Sequence, residues 1–180
     1  MILPSVVSDA GPLIHLAQIG KLSILRKLFC TVLISQQVKI EVYDEGLKLG
    51  CADAEAVGVA LKEGWIKIEA TPKRLTESAK KLSRNENISW ADAETLLLAV
   101  HKKAELLVDE RMLSNLAKMY GLHTYNTWTL LLEGLAKRYL ELCEIKEAID
   151  ALGLKKFSLN AMQIQELLDS AKLIHKRQQE

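Results

Sequence analysis

The sequence has few of the features that mark secreted, zinc-binding or membrane proteins. Its three cysteines, Cys30, Cys51 and Cys143, lie far apart and form no CxxC pair. This spacing argues against a disulfide framework and against a thiolate zinc site. No uninterrupted apolar stretch approaches membrane-spanning length, and the segment from Met1 to Asp9 has no basic stretch followed by an apolar run. We therefore expect a soluble, cytoplasmic protein with no membrane partner.

An excess of charge of either sign is also missing. Lys and Arg total 24 against 23 Asp and Glu, which gives a net charge of +1. This balance neither demands nor excludes a nucleic-acid partner, because a local basic patch can be hidden in a neutral total. With 180 residues, 49% of them apolar, the chain can bury the core of one domain, or of one domain with an appendage.

Short apolar runs alternate with helical patterns from Val6 to Asn126. The runs predict five strands, at Val6–Val7, Thr31–Ile34, Trp65–Ile68, Glu105–Val108 and His123–Asn126. Such alternation is typical of a parallel sheet with helices on both faces, so the predicted fold is a three-layer α/β/α domain. The prediction places this domain at residues 1–139 and a helical C-terminal extension with a polar tail after Ala171 at residues 140–180.

Two further segments are predicted between the strands. The charged stretch from Lys73 to Asn87 is poor in large apolar residues, so it is predicted to be either a solvated helix or a loop. A helix capped by Ser35 is expected to carry Glu41 and to end at Gly46.

Acidic residues stand where strands end and helices begin. Asp9 and Asp109 each follow an apolar strand, and Asp92 lies in the first turn of a helix that Ser89 is placed to cap. Ligand sites of parallel sheets form beyond the carboxyl ends of strands, which would bring these acids together. Taken singly, each acid is more often a helix-start residue or a turn former.

A short duplication offers a rival to Asp92. The sequence Ala-Asp-Ala-Glu opens one helix at Asp53 and another at Asp92. We favour Asp92, because its helix leads into the strand that ends in Asp109. Glu41 joins as a fourth candidate from within a helix.

The candidate set contains carboxylates alone, with no His or Cys at ligand spacing. Oxygen ligands without imidazole or thiolate suit Mg²⁺ or Mn²⁺ and argue against zinc. Carboxylates crowded together repel one another unless they are protonated or a cation neutralises them, so the cluster itself predicts a divalent metal ion.

The chain resembles the PIN domain nucleases, in a prokaryotic branch related to toxin ribonucleases of the VapC type. The resemblance rests on Val7-Ser8-Asp9-Ala10-Gly11-Pro12-Leu13-Ile14, Glu41-Val42, Ser89-Trp90-Ala91-Asp92-Ala93 and Leu107-Val108-Asp109. It implies that Asp9, Glu41, Asp92 and Asp109 are catalytic. Asp9, Asp92 and Asp109 would be the ligands of Mg²⁺ or Mn²⁺, with Glu41 as a fourth candidate.

The resemblance also implies the reaction and the partners. The expected activity is metal-dependent hydrolysis of RNA phosphodiester bonds, with an RNA substrate, a homodimer, and an antitoxin protein if the chain belongs to a toxin–antitoxin pair. One departure concerns Asp109: many toxin relatives carry Thr or Ser beside this acid, whereas here Val108 precedes it and Glu110-Arg111 follow. A polar neighbour for Asp109 is therefore in question.

Two other functions are compatible with the residues. The first is a PIN-fold protein that binds nucleic acid or serves as a scaffold without cutting. The second is a phosphatase with Asp9 as nucleophile, which is disfavoured because Gly11 stands where that chemistry usually has another acid.

Several neighbours of the candidate acids have structural interpretations. His15 is expected to pack in an apolar helix, and Thr127 either caps a helix or orients a water. Glu94 and Glu110 are interpreted as exposed acids, with auxiliary metal ligation as the alternative.

Overall fold

A computed structural model describes residues 4–155 and 157–179. Five parallel strands form one central sheet in the order β3-β2-β1-β4-β5. Their bounds are β1 Ser5–Ser8, β2 Thr31–Ile34, β3 Ile66–Ile68, β4 Glu105–Leu107 and β5 Thr124–Tyr125. Together with the flanking helices this confirms the predicted three-layer α/β/α fold.

Helices connect the strands and continue beyond the sheet. Those up to β3 are α1 Ala10–Gln18, α2 Ile24–Leu28, α3 Gln36–Lys39, the π-helix Ile40–Glu45, α4 Gly46–Lys48 and α5 Ala52–Lys62. Those after β3 are α6 Lys73–Glu86, α7 Trp90–Lys102, α8 Arg111–Met119, α9 Thr127–Ala136, α10 Leu142–Leu154 and α11 Ala161–Arg177. In the described part of the chain, no helix is both long and apolar enough to cross a membrane.

The two faces of the sheet have separate cores because side chains alternate along a strand. Val6 faces a core that includes residues of α1, α2, α5 and α9, whereas Val7 faces a core built from α7 and α8. In the adjacent strand, Leu107 faces the first core and Leu106 faces the second. The central strands are therefore buried on both sides, as expected for a parallel sheet.

The last two helices pack on the first of these cores. Ile145 and Leu152 of α10 and Leu167 and Ala171 of α11 are buried within it. The buried side of α11 is thus covered by the same chain. The helix continues to Arg177, beyond Ala171 where the predicted polar tail begins, and Ile174 packs against the same core.

Two local predictions also need correction or completion. The segment from Lys73 is a helix and not a loop, closed by Asn87 in the left-handed conformation. The helix after Ser35 does not end at Gly46: one π-helical segment carries Glu41, and the chain remains helical to Lys48. Periodicity in a sequence does not signal a π-helix, whose extra residue per turn rotates the side chains that follow.

Candidate active site

The order of strands brings Asp9 and Asp109 together. In the sheet, β1 lies between β2 and β4. The connection after β1 leads to β2 on one side, and the connection after β4 leads to β5 on the other side. Such a switch point opens a crevice at the carboxyl ends of the two strands. Asp9 follows β1, Asp109 follows β4, and the backbone N–H of Asp9 donates to the carbonyl oxygen of Leu107 at 2.9 Å.

Helix starts deliver the other acids to the same crevice. Asp92 lies in the first turn of α7, where its side chain and that of Ser89 form a capping box that fixes both. Glu41 comes from the first turn of the π-helix. A cavity of about 480 Å³ is lined by all four predicted catalytic acids and by Glu110. Asp53, the rival of Asp92, is not among its lining residues.

Burial and electrostatic repulsion inside this cavity raise the pKa values of three acids. The pKa of Asp9 is raised from 3.8 to about 7. Burial is the largest cause, and the charges of Asp92, Glu41 and Asp109 add to it. The Ala10 N–H lowers this pKa, by less than burial or Asp92 raises it. Burial and Asp92 also raise the pKa of Glu41 and of Glu110 above the ordinary 4.5. The cavity therefore favours a proton or another cation among its carboxylates.

Asp109 differs from the other acids because protein donors already bind both of its oxygens. Its Oδ1 accepts from the Thr127 backbone N–H at 2.7 Å, and its Oδ2 accepts from the Thr127 hydroxyl at 2.7 Å. His15 Nδ1 lies 2.7 Å from the same Oδ2. The hydrogen-bond donors that Val108 and Glu110 do not supply thus come from the start of α9 and from α1.

The expectations for these two neighbours need correction. Thr127 is not a helix cap, since Asn126 caps α9. His15 is not simply packed among apolar residues, because its ring bonds Asp109. The one sequence signal for this role was a single polar ring in the otherwise apolar helix α1.

An aromatic stack covers the outer side of His15. The Phe157 ring lies 3.7 Å from the His15 ring, centroid to centroid, at an interplanar angle of 16°. The Trp128 ring is also parallel to Phe157, at 5.5 Å. Phe157 lines the acidic cavity although it belongs to the connection between α10 and α11. No sequence signal connected it with the acids.

Close approach of α1 to Asp109 requires a residue without a side chain. A Cβ atom at Gly11 would lie 3.3 Å from Asp109 Cβ and 3.3 Å from its Oδ2. Any larger residue would press on the carboxylate that His15 and Thr127 hold. Gly11 is therefore part of the geometry of the site.

The two auxiliary candidates lie in different surroundings. Glu110 is exposed and lines the acidic cavity. Glu94 is only 4% exposed, so its interpretation as an exposed helix acid was wrong, and its Oε2 finds no partner within the described chain.

The donor set can be compared with what a divalent ion requires. The lining carboxylates are oxygen donors of the kind that Mg²⁺ and Mn²⁺ prefer. Among the residues that the structure describes, no group of three or more His, Cys, Asp or Glu is arranged to hold an ion by itself. Mg²⁺ is usually bound through one or two carboxylates and keeps several waters, so the donors fit an ion held partly through water.

Comparison with known proteins adds two findings. Residues 5–173 match the model of the DUF3368 family, described as a PIN domain. The chain is also similar in fold to the crystal structure of PAE2754 from Pyrobaculum aerophilum, with 21% identity and a TM-score of 0.50 over 74% of this chain and 97% of that one. No match was found among curated proteins.

Proposed function

Since the chain belongs to the PIN domain family, we propose that it is an endoribonuclease that hydrolyses RNA phosphodiester bonds with the help of Mg²⁺ or Mn²⁺. PIN domains are generally nucleases. The observation that supports the proposal best is the cavity at the switch point, where Asp9, Glu41, Asp92 and Asp109 meet and where the pKa of Asp9 rises to about 7. Such a site suits a cationic cofactor and a substrate that reacts at a phosphate.

The residues would divide the work as follows. Asp9, Asp92 and Asp109 would hold the ion, with Glu41 as the fourth acid that lines the cavity. When bound, a divalent ion lowers the pKa of water and neutralises charge on the phosphate under attack. Asp109 can contribute mainly through Oδ1, because Oδ2 already faces two donors.

His15 and Thr127 would act through Asp109. Their hydrogen bonds fix the orientation of its carboxylate, as neighbouring groups do for ligands in metal sites. Phe157 and Trp128 keep the His15 ring in place by stacking. Phe157 also forms part of the cavity wall.

The test is cleavage of single-stranded RNA by the wild-type protein with Mg²⁺, with Mn²⁺ and with EDTA. We expect cleavage only with an added ion, products carrying a 5′-phosphate, and loss of activity in Asp92→Asn. Activity that survives thorough chelation would remove the metal from the proposal. Binding of RNA without cleavage under any of these conditions would favour the non-cleaving alternative.

Biological role and assembly stay predictions. An antitoxin partner, a homodimer and a cytoplasmic location follow from the sequence and its resemblance alone. Light scattering at several protein concentrations would decide the homodimer, and a monomer throughout the range would exclude it.

A further inference from the structure

A second and larger cavity adjoins the acidic one. It lies between α8 and β5, beside the carboxyl end of β4, has a volume of about 660 Å³ and shares Asp109 with the acidic cavity. We call it the polar groove and define it by six side chains that line it: Arg111, Asn115, Lys118, Asn126, Thr129 and Gln163. Its size is that of pockets which hold small organic ligands.

The charge of the polar groove is opposite to that of its neighbour. Arg111 and Lys118 stand two turns apart on α8 and line the same wall. Both are exposed, and neither forms an ion pair with another described residue. Asp109 is the one acid among the described residues that line the groove. An anion would therefore be attracted here and repelled by the acids next to it.

Two amide side chains in the groove have fixed orientations. Asn126 Oδ1 accepts from the backbone N–H of Thr129 at 2.8 Å in the capping box of α9. Gln163 Oε1 accepts from the backbone N–H of Asn160 at 3.0 Å in the capping box of α11. Each amide oxygen is thus engaged, which leaves the N–H₂ group as the donor available to a ligand. Donors held in advance bind oxygen acceptors at a lower entropic cost.

We propose that the polar groove binds the ribonucleotide next to the phosphate that is cut. Arg111 and Lys118 would contact phosphate oxygens, and the amides of Asn126 and Gln163 would donate to oxygen atoms of the ribose or base. Because the two cavities share Asp109, a strand seated in the groove has a neighbouring phosphate at the acids. The inference rests on the proposed function, and it adds residues of α8 and α11 to the substrate site.

The test uses RNA binding in EDTA, where the proposed cleavage does not occur. Fluorescence anisotropy would follow a labelled single-stranded oligoribonucleotide with the wild-type protein, Lys118→Ala and Gln163→Glu. A Glu at position 163 can still accept from the Asn160 N–H, so the cap is kept while the donor is lost. The control is Lys146→Ala on α10, which changes the charge equally at an exposed residue that lines neither cavity.

We expect each groove variant to bind RNA about tenfold more weakly, since Lys118→Ala loses a charged donor and Gln163→Glu replaces a donor with a negative charge. The slope of log affinity against log salt should fall by about 0.7 in Lys118→Ala, as for one lost phosphate contact with a single strand. Lys146→Ala should bind like the wild type. Equal binding by all variants, or no RNA binding by the wild type, would overturn the groove assignment.

The two proposals fail separately. Cleavage that depends on metal, in variants whose RNA affinity is unchanged, would remove the groove and keep the nuclease. RNA binding that depends on Lys118 and Gln163 in a protein that never cleaves would keep the groove and remove the nuclease.

Discussion

Asp9→Asn should make the metal-free protein more stable at neutral pH while it removes a proposed ligand. The Asp9 side chain is buried, with 8% of the residue exposed, and no side-chain hydrogen bond of its own caps α1. Its pKa is about 7 in the folded protein against 3.8 in an ordinary chain. The folded state therefore keeps a proton over a pH range in which the unfolded state has lost it.

The difference between the folded and unfolded pKa of Asp9 sets the direction and the size of the change in stability. A carboxyl group whose pKa is raised on folding makes the free energy of unfolding decrease as the pH rises from about 4 to about 7, and the loss is complete above that range. At 1.36 kcal/mol per pH unit, the contribution of Asp9 is about 4 kcal/mol. Asn has a similar shape and no proton to lose. The variant should therefore match the wild type near pH 4 and exceed it by up to about 4 kcal/mol at pH 8.

The assay is urea denaturation in EDTA at several pH values between 4 and 8. Asp53→Asn, which removes a first-turn acid of α5 outside the cavity, is the matched control and should show no such trend. If the free energies of unfolding of wild type and Asp9→Asn differed by the same amount at pH 5 and at pH 8, burial and repulsion would not be raising the pKa of Asp9.

Added Mn²⁺ should narrow the difference in stability between the two proteins. At a hundredfold excess over its dissociation constant, an ion that binds only the folded wild type contributes about 2.7 kcal/mol. Asp9→Asn should gain much less. An equal gain in both proteins would exclude Asp9 from the metal site.

Three further comparisons test other parts of the site and fold. Thr127→Val removes one hydroxyl donor to Asp109 and keeps the shape, so activity should fall about tenfold and stability by about 1–2 kcal/mol; unchanged kinetics would show that Asp109 needs no such support. Gly134→Ala places a Cβ 2.1 Å from a side-chain carbon of α2. Overpacking should lower the free energy of unfolding by about 1–3 kcal/mol, which outweighs the gain of about 1 kcal/mol from the higher helix propensity of Ala. Urea denaturation measures the net change. Asp92→Asn should abolish RNA cleavage and Asp53→Asn should leave it nearly intact; the reverse result would show that the duplicated motifs were assigned wrongly.

Local patterns in the sequence predicted the sheet well. The bounds of β2 at Thr31–Ile34 agree with the structure, because an apolar run between a Cys and a Ser has few alternatives. The alternation of strands and helices predicted a parallel sheet, and the positions of Asp9 and Asp109 after apolar strands predicted that they meet at one edge of it. These features depend on residues near one another in the chain or on a general rule of topology.

Features that depend on distant contacts were not predictable. The partnership of His15 with Asp109 joins residues 94 positions apart, and Phe157 reaches the cavity from a connection after α10. The π-helix at Glu41 and the buried position of Glu94 depend on how helices pack around them. Packing of this kind leaves little trace in the spacing of single residues.

The stack of Phe157 on His15 has a consequence for protein synthesis. All four acids are translated by residue 109, but the aromatic wall of their cavity comes from residue 157, and the helices on either side of it complete the same core. Domains fold as units, with early segments emerging first from the ribosome. A nascent chain that has not yet released this region carries the acids without the finished cavity. The cavity would therefore be completed only after residue 157 has left the ribosome.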